Sequence, residues 1–398
     1  MKPPKIDFVL SVVRKHYPTL ESSVRIMLAV FGSMAFKDRT KPLSLIFETP
    51  SGYGKTTVLQ MAFPLKGSEL KKVVYRSDKF TPKAFVSHAA NVTRDDLKKT
   101  VDLLPKIEGK VLVTKELAPL FRGEKNQLLD TFSILIPILD GKGFTSDSGV
   151  HGQRGYDRPI VFNWLGATTP LPKQTHKLMS QLGTRLLFWE VPVKHPTSAE
   201  LLAYAQGSGA SGAEGECQTA VNDFLSAFFT THHPASVPYD LIRISRSSAQ
   251  ELARAATLIA TCRAEITHER EGGWKPVGAG TPEGPWKVVD YLRDLARGHA
   301  LLCGRERLAG EDTALALQVA VSSIPIHLRP LVKELRQHGR VSSTRAEKLC
   351  GASRPTARNY LQELSLLGIG RRTKGSPKSN VPDAVNLSPK FGWLRQGP

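Results

Sequence analysis

The stretch from Leu45 to Leu59, LIFETPSGYGKTTVL, limits what this chain can fold into more than any other. Leu45-Ile46-Phe47 is a short apolar run of the kind that forms a buried strand. The turn-forming segment Thr49-Pro50-Ser51-Gly52-Tyr53-Gly54 follows, and Lys55-Thr56-Thr57 opens a helix that continues through Val58, Leu59 and Met61. Strand, glycine-containing turn, Lys-Thr and helix together make a phosphate cradle. Backbone N–H groups converge on one anion, Lys55 adds a charge for the β/γ-phosphates, and the Thr56 hydroxyl is placed to ligate Mg²⁺. The pattern G-x-x-x-x-G-K-[ST] is met except at its first position, where Thr49 replaces glycine. A chance Gly-Lys-Thr beside a turn is the alternative. The strand before and the helix after favour the cradle.

The 398 residues are enough for two or three domains. With 40% hydrophobic and 23% charged residues, the composition is that of an ordinary soluble globular protein. No apolar run approaches the ~20 residues that span a bilayer, and the start, MKPPKIDFVL, reads as no signal peptide. The expectation is a cytoplasmic protein without a membrane partner. Cys217, Cys262, Cys303 and Cys350 are too widely spaced for a zinc or disulfide pattern and fit a reducing compartment. The formal net charge of +19 points to a polyanion partner. From Pro325 onward there are 14 Lys/Arg against 4 Asp/Glu, so more than half of the excess sits in the last fifth of the chain.

Two amphipathic patterns over residues 6–36 predict helices packed on the phosphate-binding unit. Val73–Arg76 reads as a strand, followed by helical sequence over Lys83–Ala90 and a polar helix over Asp95–Leu104. Lys110–Glu116 is a strand ending on an acid, which makes Glu116 a candidate for activating water and contributing to a Mg²⁺ site. Lys115 stands where such strands usually carry Asp, so the metal shell would draw on Asp78, a water or Glu116 itself; alternatively Glu116 caps the next segment. After an apolar helix over Asn126–Leu139, five glycines interleave with basic and aromatic residues up to Tyr156. This suggests an exposed hairpin whose Lys142, Phe144, His151 and Arg154 meet nucleic acid, or else a plain surface loop. The strand in Pro159–Pro170 ends at Thr168 and Thr169, either of which would sense a phosphate or form a turn. A helix over His176–Leu182 leads to Arg185 and the last strand, Leu186–Val191. An Arg before an edge strand can stabilise charge at a neighbouring subunit's nucleotide, or can be a solvated surface residue.

Read together, these segments resemble an AAA+ ATPase core. TPSGYGKTT resembles the Walker A of that family, VLVTKE its Walker B, and LGATTP its sensor-1 strand. LMSQLGTRLLFWEVP resembles the arginine-finger stretch of the minichromosome-maintenance helicases, and Gly141–Tyr156 occupies the place of their pre-sensor hairpin. GPWKVVDYLRDLARGHALLCGRERL resembles their sensor-2 lid helix, with Lys287 at the usual Arg position. The set looks closest to AAA+ proteins of bacterial mobile elements and prophages, and the resemblance spans about residues 40–305. It implies a ring or spiral of subunits, often a hexamer, with ATP and Mg²⁺ between neighbours. Residues Thr49 to Thr57 would bind ATP, Thr56 and Glu116 the metal. Glu116, Thr169 and Lys287 would act at the site, with Arg185 supplied in trans.

Behind the core, Ala205–Gly212 reads as a flexible linker. Helical patterns follow over Thr219–Thr231, Ser247–Arg270, Trp286–Cys303 and Glu311–Ile324, with a Gly/Pro-rich loop over Glu271–Pro285; a helical lid is the simple reading. From about Pro330 come a helix ended by Gly339, a short helix over Thr344–Cys350 with Glu347 at capping-box distance, and a helix over Thr356–Leu367 with Pro355 near its start. Two strands around a basic loop close the chain. The order resembles a winged helix, whose Arg354, Thr356, Arg358, Asn359 and Gln362 would face a DNA major groove. Arg371, Arg372, Lys374 and Lys378 would meet phosphates from the wing; a winged helix used only for protein contact is the alternative.

The expected architecture is therefore α/β. Helices over residues 1–40 precede a P-loop parallel sheet flanked by helices over 41–195, an α-helical lid over 196–325 and a winged-helix domain over 326–398. The function expected is an ATP-hydrolysing, DNA-binding motor, a replicative helicase of a mobile element. A DNA-binding switch that assembles on ATP without unwinding is the second reading.

Overall fold

The computed structural model describes residues 5–87, 101–148, 152–181, 183–208, 212–269, 275–375 and 382–396. Two compact units emerge from the packing. The first gathers Met1–Thr175, Arg185–Ser245 and Arg293–Asp312; the second gathers His176–Thr184, Arg246–Leu292 and Thr313–Pro398. The division falls differently from composition-based boundaries at 195 and 325, because residues 196–245 join the sheet's unit and 246–292 join the C-terminal helices.

The first unit is built on strands β1 (Leu43–Glu48), β2 (Val74–Arg76), β3 (Val111–Thr114), β4 (Phe144–Ser148), β5 (Gly152–Tyr156), β6 (Asn163–Thr168) and β7 (Leu187–Glu190). Five of them form a parallel sheet in the order β2-β3-β6-β1-β7, while β4 and β5 form a separate antiparallel hairpin. Every residue of β1, β3 and β6 is buried, as expected for the inner strands of a sheet covered on both faces. β2, at one edge, turns its last residue to solvent.

Helices α1 (Ile6–His16), α2 (Glu21–Ser33), α3 (Lys55–Met61), α4 (Lys125–Leu139) and α5 (Lys173–Gln181) match expected helices within a few residues. Where helical sequence over Lys83–Ala90 was expected, the described residues to 87 hold one short turn, Pro82–Ala84, and residues 88–90 lie outside them. Much of the polar helix at Asp95–Leu104 lies outside the described residues, and Leu103–Ile107 is helical. Tyr204–Ser208 is a helical turn, and residues 209–211 of the expected linker also lie outside.

One buried polar cluster joins helix to sheet. Asn163, fully buried at the start of β6, accepts from the Leu43 backbone N–H at 3.1 Å and from Arg39. Its amide donates to Val30 O at 2.6 Å and Ser33 Oγ at 2.9 Å. All of its hydrogen-bonding capacity is used, which is the condition for burying an amide without penalty. Trp189 of β7 donates to Ser23 Oγ at 2.8 Å, so α2 is tied to the sheet at the two strands that flank β1.

Further along lie α6 (Ala213–Thr231), α7 (Arg246–Cys262), α8 (Trp286–Leu302) and α9 (Gly310–Ser322). α2 crosses the last turns of α8 at two facing glycines. A Cβ on Gly298 would stand 2.3 Å from Ala29 O and 2.5 Å from Ser33 N, so only glycine permits this approach. Beside the crossing, Arg297 pairs with both oxygens of Asp38 at 2.9 and 3.1 Å and lies over the rings of Phe36 and Tyr239. His299 Nδ1 bonds Asp312 at 2.6 Å. Burial alone would lower the His299 pKa, but the Asp312 carboxylate and the Cys303 thiol outweigh it and lift it to about 9.

In the second unit the sequence expectation of an uninterrupted helix to Arg270 and a loop to Pro285 is corrected. α7 stops at Cys262, and β8 (Ile266–Glu269) pairs antiparallel with β9 (Lys275–Ala279). Ile266-Thr267-His268-Glu269 alternates in burial with period two, a strand signature hidden behind a long helical run. After α10 (Arg329–His338), strand β10 (Arg340–Ser342) runs directly into α11 (Ser343–Cys350). The cap is consequently Ser342, whose Oγ accepts from Arg345 N at 3.2 Å, in place of the expected Thr344–Glu347 box. Then come α12 (Arg354–Leu366), with Pro355 in its first turn, β11 (Gly370–Thr373) and β12 (Ala384–Leu387); the last three strands form an antiparallel sheet ordered β10-β12-β11.

Two predictions follow from this packing. Gly298→Ala should destabilise the fold by about 2 kcal/mol or more, since the added methyl meets backbone on both sides; denaturant unfolding measures it. His299 is protonated in the fold, so its contribution is fully present below 6.5 and is lost as pH rises towards 9. Melting-temperature profiles from pH 6 to 10 should show a fall over that window that His299→Gln lacks.

Candidate functional site

The carboxyl ends of a parallel sheet are where its loops gather, and the sheet order decides which loops become neighbours. β1 lies between β6 and β7, and β3 lies beyond β6. The loops after β1, β6 and β3 therefore stand side by side. These are the loops that carry Lys55, Thr169 and Glu116.

The loop after β1 is built by glycine. Gly52 and Gly54 both have positive φ, +88° and +81°, and Gly54 caps α3 in the left-handed conformation. A Cβ on Gly54 would also stand 2.8 Å from Leu20 Cδ1, so this position is fixed by conformation and by space. Val58 N–H donates to Gly54 O at 3.0 Å and starts the helix. Lys55 is 6% exposed, yet no ion pair engages it among the described residues. Its stem is packed away while the unpaired ammonium keeps contact with solvent at the loop. Thr49, in the place of the usual glycine, is 2% exposed, and its hydroxyl is buried without a hydrogen-bond partner. Pro50, Ser51 and Gly52 are open to solvent or nearly so, Thr56 and Thr57 are half-buried, and the Tyr53 hydroxyl bonds His195 Nδ1 at 2.9 Å. A loop with an unpaired cation and a buried orphan hydroxyl is suited to an oxyanion.

The neighbouring loops are less free. Glu116 accepts from Ala118 N–H at 2.9 Å, at the start of the short helix Ala118–Phe121, so the capping alternative is realised for one of its oxygens. Lys115 reaches Asp78 at 3.9 Å and lies 5.1 Å from the centre of the Phe63 ring. Arg76 grips the same Asp78 through two bonds of 3.0 and 2.7 Å, which hold its carboxyl below the ordinary range. Asp78 is therefore engaged by two cations and is a poor metal ligand. Thr169 Oγ1 accepts from Arg122 Nη2 at 2.7 Å, and the buried Thr168 donates to Thr169 O. Hard oxygen donors remain at Thr56 and Glu116. One hydroxyl and one carboxylate, completed by phosphate oxygens and water, is a donor set that fits Mg²⁺.

Arg185 precedes β7 and so stands at the amino edge of the sheet, about 13 Å from the carboxyl end by the length of a four-residue strand. It bonds both oxygens of Asp140, at 3.1 and 2.9 Å. Lys287 opens α8 within the second unit, half-buried.

The hairpin residues separate. Lys142 is exposed and Phe144 half-buried opposite Tyr156; His151 lies outside the described residues. Arg154 is a correction. Its side chain is fully buried, paired with Asp102 at 2.8 Å and donating to Ser87 O, so it holds the hairpin to the protein and offers nothing to a phosphate. Tyr156 donates to the same Asp102 at 2.9 Å; burial first and that bond second push its pKa up.

At the C-terminal end, Arg354 is 3.5 Å from Glu347, Arg358 is 3.5 Å from Asp383, and Arg372 is 2.9 Å from Asp383. Thr356 bonds Ser353 Oγ, while Arg371 and Lys374 are exposed. Lys378 lies outside the described residues.

Sequence reading missed Arg122, the Tyr53–His195 pair and the Leu20 wedge at Gly54. Each depends on a contact between segments far apart in the chain, and no local pattern marks it. No known protein family matches the chain by its sequence profile, and no curated protein is similar enough in sequence to match it.

The Thr49 hydroxyl gives an opposed pair of effects. Thr49→Val should leave the ligand-free protein as stable, or more stable by up to about 1 kcal/mol, since a buried orphan is removed. The same change should weaken binding of inorganic triphosphate severalfold in titration calorimetry. Unchanged affinity would show that Thr49 takes no part.

Proposed function

We propose that the chain is an AAA+ type ATPase that binds DNA and couples ATP hydrolysis at subunit interfaces to movement along it. In this reading it is a ring-forming helicase of a mobile genetic element. The observation that carries the reading is the glycine-shaped loop after β1, an inner strand of five parallel ones, with Lys55 unpaired at its end. The strand order supports it further by making the loops that bear Lys55, Thr169 and Glu116 neighbours.

In this reading Lys55 and the backbone of Thr49 to Thr57 hold the triphosphate of ATP. Mg²⁺, when bound, neutralises phosphate charge and is held by Thr56 and Glu116. The Glu116 oxygen not engaged by Ala118 accepts a proton from the attacking water, and Thr169, fixed by Arg122, orients that water. Arg185 stands at the wrong end of the sheet to reach its own loop, so it serves the site of a neighbouring copy in a closed ring, often of six. Lys287, at the start of α8, takes the part of the lid's cation.

Helices α10, α11 and α12 with the sheet β10-β12-β11 support a winged-helix reading. Arg354, Thr356 and Arg358 lie near the amino end of α12, and Lys374 sits beyond β11, where a wing would meet the DNA backbone. The net charge of the last fifth of the chain favours DNA as the partner. Lys142 and Phe144 would contact a strand in the ring's channel.

The second reading is an ATP-dependent switch that assembles on DNA without unwinding it. Lys115, paired with Asp78 where a metal-holding acid would stand, favours slow turnover and keeps this reading in play.

Lys55→Ala should abolish DNA-stimulated phosphate release, a loss of at least a hundredfold by the scale of a removed electrostatic contact. Normal hydrolysis by this variant would contradict the assignment. Strand displacement under the same conditions separates motor from switch.

A further inference from the structure

The second unit carries a basic trough away from the recognition residues of α12. The C-terminal segment Pro389–Gln396 runs as a tight helix beside α7. Two adjoining depressions of about 480 and 460 Å³ share Pro389 and Lys390. The first is lined by Arg254 and Thr257 of α7 with Lys390 and Trp393; the second continues past Gly368 to Arg371. Ser365, which lines the second, is eleven residues along α12 from Arg354, about 16 Å at the helical rise.

The charges in this trough differ in kind from those at the other end of the helix. At that end Arg354 and Arg358 each face a carboxylate of this chain, whereas among the described residues of the trough only Arg372, beside Arg371, is paired, with Asp383 at 2.9 Å. Among the described residues no ion pair engages Arg254, Lys390 or Arg371, and no Asp or Glu lines either depression. Three uncompensated cations along one groove favour a chain of regularly spaced anions. Trp393 is half-buried in the groove wall and has no aromatic partner among the described residues. An indole that lines the same depression as Arg254 and Lys390 suits stacking by an unpaired base, which a duplex does not offer.

We propose that this trough binds single-stranded nucleic acid, with successive phosphates on Arg254, Lys390 and Arg371 and one base stacked on Trp393. It draws on the DNA-binding reading only for the class of partner; the geometry stands without ATP. The unit would thus hold two forms of DNA on separate surfaces, duplex at the amino end of α12 and a single strand at its carboxyl end.

The test uses the full chain and fluorescence anisotropy with a labelled oligothymidylate and a labelled blunt duplex of equal length. Arg254→Glu combined with Lys390→Glu should weaken oligothymidylate binding at least tenfold and duplex binding less than threefold. Arg358→Glu should do the reverse. Trp393→Ala should weaken the single strand severalfold, whereas Trp393→Phe, which keeps a stacking ring, should restore most of it. Oligothymidylate should quench tryptophan emission in the parent and less in Trp393→Phe. Oligothymidylate affinity unchanged in the double variant, or equal losses for both ligands, would overturn the trough while leaving the duplex surface intact. If the parent chain binds neither ligand, the DNA-binding reading falls with it. Thermal melts of each variant check that the substitutions, two of them at the half-buried Arg254 and Trp393, leave the fold in place.

Discussion

At the end of β1 the chain is held from both sides. Thr49 N–H donates to Thr168 O at 3.3 Å, and Val191 N–H donates to Glu48 O at 3.2 Å. These two bonds close the parallel ladders with β6 and β7 and fix where the backbone leaves the sheet. The next turn must then reverse into α3 within a few residues, and only glycine at 52 and 54 accepts the dihedral angles this requires. Leu20, packed against Gly54, stops the turn from relaxing outward. The placement of Lys55 is a consequence, because α3 begins where the turn ends and Lys55 is its first residue. The loop's shape thus originates in strand pairing several residues away.

A second level of support lies under the sheet. Asn163, Arg39, Asp294, Arg297 and Asp38 form a buried polar cluster that binds the amino ends of β1 and β6 to α2 and to the last turns of α8. Such clusters are costly unless every member is paired, and they single out one arrangement over others of similar apolar burial. Together with the Gly32–Gly298 crossing, this one places α2 close against the sheet, which brings Leu20 to the loop and Ser23 to Trp189. Residues remote from the loop therefore decide its shape.

Much of this was legible in the sequence, and the failures have physical causes. The inner strands read well because strands buried on both faces are continuous apolar runs, and glycine before Lys-Thr marks a turn by local conformation alone. Arg154 was misplaced because a basic residue in a glycine-rich hairpin looks solvated; its partner Asp102 lies 52 residues away and carries no local mark. The β8–β9 hairpin was hidden by the strong helical period of α7 and by a Gly/Pro-rich stretch that resembles a loop. For Glu116 the sequence left water activation and capping of the next segment both open, and one of its oxygens does cap that segment. The pairing of Lys115 with Asp78, joined by Arg76, was equally invisible.

The central claim is that each ATP site is shared, with Lys55 from one copy and Arg185 from the next. Mixing Lys55→Ala with Arg185→Ala measures this most directly. Each variant alone lacks one half of every site. In a ring of randomly mixed copies, about a quarter of the interfaces regain both halves. The account predicts that ATPase activity absent from either variant returns on mixing and rises towards that fraction. A mixture as inactive as its components, under conditions where copies are shown by mass to exchange, would contradict it.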